Sequence, residues 1–321
     1  MSEYTHKLSV VAPFFNEEAI LAQYLERTLI VLETQFKTYE LILIDDGSTD
    51  HSAQICLPFI QANRHVRLIC FTRNYGHEIA LTAGLDYATG DKVVIMDTDL
   101  QHPPEIIPAL VKKSEEGYDV VCATRQDRAE EPWVRKIFAY GFYYISRKMT
   151  GFEIHSARGN YRLLNKSVVE SIRRMKETNR HLVMMFAYVG FNTAEIDYQC
   201  PPRRAGKSKY NLRSLIRLSL DSIIGFSARP LRVMSVFSVL ISVVMMIYAG
   251  FILIEKLFMH QALADGMASV IFLISGLFSV LFLFLAVISE YISRILLETK
   301  KRPLYYVKED ISYGNLSRTH S

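Results

Sequence analysis

The sequence predicts an α/β fold with a mostly parallel sheet, followed by an interfacial amphipathic helix and two transmembrane helices. Three observations carry that reading. Short β-branched apolar runs alternate with helix-length amphipathic segments over residues 8–125. Each run ends in a cluster of carboxylates, glycine or proline, which marks a strand's end. The apolar excess behind a mean hydropathy of +0.12 sits in residues 231–289 rather than being spread along the chain.

Residues 8–12 form the first strand, stopped at Pro13, and an amphipathic helix then runs to about Leu32. Glu17 and Glu18 suit the first turn of that helix, where carboxylates meet the positive end of its dipole. Residues 40–44 form the second strand, ending in Asp45-Asp46-Gly47-Ser48-Thr49-Asp50. Residues 66–71 form the third, followed by Arg73-Asn74-Tyr75-Gly76-His77-Glu78 and a helix to about Tyr87. Gly90 precedes the fourth strand, residues 92–95, which runs into Met96-Asp97-Thr98-Asp99-Leu100-Gln101-His102-Pro103-Pro104-Glu105. Residues 120–124 form the fifth and end at Arg125. Polar clusters at the carboxyl ends of successive parallel strands converge on one site.

In an extended D-x-D the side chains of Asp97 and Asp99 project the same way, and two carboxylates so placed repel unless a cation lies between them. Mg²⁺ or Mn²⁺ suits them, because such ions take one or two carboxylates plus the oxygens of a diphosphate, and Gln101 can add a neutral oxygen. The competing reading is a turn and helix cap ahead of Pro103 and Pro104. No G-x-G-x-x-G follows the first strand and no G-x-x-x-x-G-K-[ST] occurs, which sets aside dinucleotide dehydrogenases and P-loop NTPases. A net charge of +4 without a basic run interleaved with aromatics sets aside nucleic acid as a partner. Four scattered cysteines read as reduced, and the amino terminus shows no apolar signal region, so the first domain is expected in the cytosol. Carboxylates at strand ends can grip a base, a ribose and a metal-bound diphosphate, and a nucleotide-sugar supplies all three.

From 200 to 233 the chain holds eight Lys or Arg against the single acid Asp221. Within residues 211–226, Leu212, Leu215, Ile216, Leu220 and Ile223 recur at helical spacing opposite Arg213, Arg217 and Asp221, the pattern of a helix lying in the membrane interface. Residues 233–254 and 268–289 carry no charge, and each is about the ~20 residues a membrane-crossing helix needs. The link between them has only Lys256 as a basic residue, whereas the tail has Arg294, Lys300, Lys301, Arg302, Lys308 and Arg318, which puts both termini on the cytosolic side. The expected organisation is a cytosolic domain over 1–210, interfacial helices over 211–230, a transmembrane hairpin over 231–291 and a cytosolic tail over 292–321, in the inner membrane.

The runs Val10-Val11-Ala12-Pro13-Phe14-Phe15-Asn16-Glu17-Glu18, Ile44-Asp45-Asp46-Gly47-Ser48-Thr49-Asp50, Arg73-Asn74-Tyr75-Gly76 and Asp97-Thr98-Asp99-Leu100-Gln101-His102-Pro103-Pro104 resemble those of a family 2, GT-A-fold glycosyltransferase. More narrowly, the chain is similar to the polyprenyl-phosphate glycosyltransferases, the group of dolichol-phosphate mannose synthase and the bactoprenol-phosphate glucosyltransferases. The resemblance implies that Pro13, Phe15, Glu17 and Asp46 line the base and ribose pocket, and that Asp97, Asp99 and Gln101 hold metal and diphosphate. It implies phosphate-facing roles for Arg125 and, in a mobile R-x-x-G-x-S-K segment, for Arg203 and Lys209; Arg135 and Lys136 are candidates for meeting the acceptor's phosphate. Arg162 joins the catalytic set as part of the retained Gly159 and Arg162 pattern. It further implies a UDP-hexose donor, an undecaprenyl phosphate acceptor, contact with membrane lipid and self-association.

The chain departs from the family at Ala157 and Asn160, where members commonly carry Asp or Asn and Asp or Cys, so a general base at Ala157 is not available. A phosphate monoester acceptor, with a second ionisation near pH ~6, is largely a dianion at neutral pH and needs little proton abstraction. Two rivals are weaker. A processive synthase would resemble Q-x-x-R-W, but the one tryptophan is Trp133, after Pro132. A non-catalytic binding or scaffold protein is at odds with the retained Asp97, Asp99, Gln101, Arg203 and Lys209.

Overall fold

The computed structural model describes residue 4, residues 6–125 and 158–199, most of 231–248, and residues 267–315. Ala157, Arg135, Lys136, Arg203, Lys209 and the expected interfacial helices lie outside the described residues. The chain divides into two compact units, one of residues 1–215 with 302–321 and one of 216–301.

In the first unit β1 (Leu8–Phe14), α1 (Leu21–Gln35), β2 (Tyr39–Asp45), α2 (Ser52–Ala62), β3 (Val66–Phe71), α3 (His77–Tyr87) and β4 (Lys92–Ile95) alternate as expected. A 3-10 turn at Pro104–Ile106 leads into α4 (Ile107–Glu115) and β5 (Val120–Arg125). Then come β6 (Arg158–Asn165), α5 (Lys166–Arg174), α6 (Leu182–Val189), β7 (Thr193–Tyr198) and β8 (Val307–Ser312). One eight-stranded sheet results, in the order β7-β5-β6-β4-β1-β2-β3-β8. Its centre, β4-β1-β2-β3, is parallel, while β6 runs antiparallel between β4 and β5 and β8 antiparallel along β3. Chain order reverses at β1, whose neighbours are β2 and β4, so the crevice at their carboxyl ends is the switch point of the sheet.

Both faces of the centre are covered, which is why β1, β2 and β4 carry the apolar runs 10–14, 41–44 and 93–95. Val10, Ala12, Leu41 and Leu43 join the core with Leu21, Leu25 and Leu32 of α1. On the other face α3 packs so closely that a Cβ on Gly84 would lie 2.1 Å from Val11 Cγ1. Cys56, Cys70 and Cys122 are buried and form no disulfide.

One expectation needs correcting. Glu17 and Glu18 precede α1 rather than occupying its first turn, because the β1 loop is stitched to the β2 loop instead: the Asn16 N–H donates to Ser48 Oγ, the Glu17 N–H to Ser52 Oγ, and Glu18 Oε2 accepts the His51 N–H. Within the tail, residues 307–312 form β8, a strand not read from the sequence. Val-Lys-Glu-Asp-Ile-Ser carries no apolar run; the strand is held by backbone pairing to β3 and by a bidentate Arg67–Asp310 ion pair at 2.6 Å.

The second unit contains α7 (Met267–Thr299), in which the most apolar 18-residue window of Gly276–Thr299 has a mean hydropathy of 2.1 and none of it is buried. That is long and apolar enough to cross a membrane. The helix continues past the uncharged run 268–289 and the expected hairpin end at 291, and Glu290 and Arg294 pair along it at i, i+4, 2.9 Å apart. A shorter apolar helix covers Val233–Met245, so among the described residues one helix, not two, has the length and composition of a membrane span.

Candidate active site

Four loops meet at the switch point. Residues 13–17 leave β1, Asp46 leaves β2, His77 opens α3 after β3, and residues 97–99 leave β4. They enclose a cavity of about 300 Å³ lined by Pro13, Phe14, Phe15, Glu17, Asp46, His77, Ala80, Asp97, Thr98, Asp99 and Asn160. Six of the sequence-predicted site residues are therefore brought together: Pro13, Phe15, Glu17, Asp46, Asp97 and Asp99.

Asp46 serves first as a clamp. Its carboxylate accepts the N–H of Tyr75 at 2.7 Å and of Gly76 at 2.9 Å, fixing the loop between β3 and α3. Gly76, at φ +100°, takes a conformation that a side chain would strain, and its carbonyl accepts the N–H groups of Ile79 and Ala80 to start α3. Burial pushes the Asp46 carboxyl up, against the pull of those two backbone donors. Its neighbour Asp45 is also raised by burial, although its Oδ1 accepts the Ser48 N–H at 2.8 Å. Gly47 completes the turn at φ +72°, where a Cβ would lie 2.4 Å from the Arg73 carbonyl carbon.

The D-x-D loop is braced from behind. The Asp97 N–H donates to His102 Nδ1 at 2.9 Å, which makes that nitrogen the unprotonated one, so its 3.7 Å approach to Asp97 Oδ2 is not an ion pair. The His102 ring stacks on Tyr161 at 4.8 Å, and the Tyr161 hydroxyl donates to the Pro103 carbonyl at 2.7 Å. Leu100, buried at φ +60°, holds the left-handed conformation that costs a non-glycine residue about 1–2 kcal/mol, a strain concentrated beside the cavity.

A divalent cation fits this donor set. Asp97 and Asp99 line the same cavity, and Asp97 Oδ1 is buried with no hydrogen-bond donor aligned on it; His77 Nε2 stands 3.3 Å away outside hydrogen-bond geometry. A buried anionic oxygen in that state calls for positive charge. Among the described residues no three His, Cys, Asp or Glu side chains form a closed metal site.

The remaining predicted residues lie elsewhere. Gln101 does not line the cavity; its backbone N–H donates to Asp99 Oδ1 at 3.1 Å, so the turn-capping reading holds beside the metal reading. Arg125 is exposed at the carboxyl end of β5 and is not among the residues that line the cavity. Arg162 is 2 % exposed with its guanidinium 4.5 Å over the Phe186 ring, so it braces α6 against the sheet and is not presented to the cavity. His77 and Asn160 line the cavity with ring and amide nitrogens 3.1 Å apart; the sequence marked Asn160 only as a departure from the family pattern and did not single out His77. The signal for His77 was its place in the polar cluster after the third strand.

The comparisons with known proteins agree with this geometry. Residues 9–173 match the family described as Glycosyl transferase family 2. The bactoprenol glucosyl transferase of Shigella phage SfX is 35% identical over 94% of this chain and 99% of its own length. The undecaprenyl-phosphate 4-deoxy-4-formamido-L-arabinose transferase of Enterobacter sp. is 33% identical over 98% of this chain and 97% of its own length. In fold, the chain is similar to Mycobacterium tuberculosis glucosyl-3-phosphoglycerate synthase, solved with Mn²⁺, UDP-glucose and phosphoglyceric acid, at a TM-score of 0.50 and 20% identity, covering 68% of this chain and 78% of that one. A switch-point cavity holding a D-x-D pair, a match across half the sequence and near full-length relatives lead to one conclusion: the chain belongs to glycosyl transferase family 2 and is a glycosyltransferase of GT-A fold.

Proposed function

We propose that the enzyme transfers a single sugar from a nucleotide-sugar, read as a UDP-hexose, to polyprenyl (undecaprenyl) phosphate at the cytosolic leaflet of the inner membrane, with inversion at the anomeric carbon. One observation carries the reading: a single cavity joins the Pro13, Phe15 and Glu17 wall to the Asp97 and Asp99 carboxylates. That is the order of parts in a nucleoside diphosphate sugar. The relatives named for bactoprenol and undecaprenyl phosphate support the acceptor class.

Pro13 and Phe15 offer apolar surface to the base, while Glu17 offers a carboxylate for ribose hydroxyls. Asp97 and Asp99 would hold Mg²⁺ or Mn²⁺, which when bound supplies charge neutralisation to the leaving diphosphate. The acceptor's phosphate oxygen attacks the anomeric carbon as the bond to the diphosphate oxygen breaks, and the electron pair leaves with the diphosphate. The nucleophile arrives ionised, so the amide of Asn160, where the family commonly has Asp or Cys, is compatible with turnover. Arg125, Arg203 and Lys209 carry the phosphate-facing roles in this proposal, with Arg162 as internal support for β6. The apolar α7 anchors the enzyme in the bilayer that holds its acceptor, in a multi-pass, self-associating arrangement.

The test is product analysis. Purified full-length protein in lipid containing undecaprenyl phosphate is offered a panel of nucleotide-sugars, and the lipid fraction is weighed by mass spectrometry. The reading predicts one hexose added per lipid phosphate. Longer glycan chains, or donor binding without lipid-linked sugar, would contradict it.

A further inference from the structure

We infer that Tyr305, supplied by the short segment between α7 and β8, is a positioning residue of the donor site: it holds Phe71, and through Phe71 the 73–77 loop that frames the cavity. The name of the cavity rests on the proposed donor role; the packing does not. Seven residues, 300–306, separate Thr299 at the end of the apolar helix from Val307 at the start of β8.

The contacts form an unbroken series. The Tyr305 ring stacks on Phe71 with centroids 5.0 Å apart and planes 19° apart. Phe71 meets Tyr75 edge to face at 5.7 Å. The backbone N–H of Tyr75 is the one that Asp46 accepts at 2.7 Å, and two residues on, His77 lines the cavity. Both ends of the tyrosine are fixed: its hydroxyl donates to Asp86 Oδ2 at 3.2 Å, and the carbonyl of the next residue, Tyr306, accepts the Thr72 N–H at 3.0 Å. Burial and then the nearby Asp86 push the Tyr305 phenol up, so it is a neutral donor at physiological pH.

Edge-strand attachment alone does not require this series. β8 is already fastened by its pairing to β3 and by Arg67–Asp310. Tyr305 contacts β3 at Phe71, the last residue of the strand, where the chain turns into the loop. An aromatic pair at that point restrains the loop's exit direction, and the loop offers Asp46 its two backbone donors. Donor-site geometry thereby depends on a part of the chain that follows the apolar helix.

Amide hydrogen exchange of the full-length protein in lipid, without donor, decides the matter. Tyr305→Ala should speed exchange at Tyr75 and Gly76 about three- to tenfold, the worth of a lost aromatic pair, and leave β4 unchanged. Tyr305→Phe, which keeps the ring, should restore wild-type exchange. Arg67→Ala, which loosens β8 without touching the ring pair, should leave Tyr75 and Gly76 protected. Unchanged exchange in Tyr305→Ala, or equal acceleration in Arg67→Ala, would overturn the inference. If Tyr305→Ala releases β8 entirely, Tyr305→Leu, which keeps apolar bulk, is judged by the same criteria. In turnover, Tyr305→Ala should raise the donor KM with kcat within about twofold; a fall in kcat at constant KM would contradict a positioning role. Failure to find any donor would sink the proposed function while leaving the exchange result to stand by itself.

Discussion

Asp45 and Asp46 are adjacent acids with different tasks. Both are buried, but Asp46 lines the cavity and binds the next loop's backbone, whereas Asp45 does not line it and accepts the Ser48 N–H of its own turn. Burial raises the Asp45 carboxyl above its ordinary 3.8. A folded-state value above the unfolded one stabilises fully below the ordinary value and loses that contribution as pH rises through the folded value. Asp45→Asn should therefore gain stability relative to wild type as pH is raised above 3.8, read as the difference in Tm across a pH series. A constant difference would show that burial does not govern this carboxyl. The D-x-D pair was legible in the sequence as two carboxylates just past a β-branched run, but β4 ends at Ile95, so the course of the loop and not strand alternation brings Asp97 and Asp99, with Thr98, to one cavity. His77 and Asn160 were not legible, since their approach depends on β6 lying beside β4, a pairing that no local pattern encodes.

Among elements, the parallel centre was legible and the edges were not. β1 to β4 announce themselves because both faces are buried and each carries a run of apolar residues, broken only by Ser9, Glu40, Asp45, Arg67 and Lys92. β7 and β8 mix charged and apolar residues, and the backbone ladder of a neighbour makes them strands. Helix α3 shows the tightest requirement. Gly84→Ala would force its new methyl against Val11, so the variant should lose about 1–3 kcal/mol in urea unfolding, more than the gain in helix propensity returns. Wild-type stability in that variant would mean that α3 can lift from the sheet without cost.

For the molecule as a whole, the proposal joins a soluble-type sheet to an apolar anchor through residues 300–306. Seven residues span at most about 25 Å, less than the ~30 Å hydrocarbon layer, so the tail that forms β8 cannot recross the bilayer after α7. In intact cells a membrane-impermeant maleimide should label His260→Cys in the expected external link and leave Ser317→Cys unlabelled; the opposite pattern would reverse the proposed orientation. The apolar run 268–289 was legible by composition, whereas the continuation of the helix to Thr299, past Glu290 and Arg294, was not. The central claim is that the switch-point cavity holds a nucleoside diphosphate through a cation on Asp97 and Asp99. Calorimetric titration of the full-length protein with UDP in the presence of Mn²⁺ tests it most directly. Binding should weaken about a hundredfold or more in Asp99→Ala and on chelation of the metal. UDP bound equally by Asp99→Ala, with or without Mn²⁺, would contradict it.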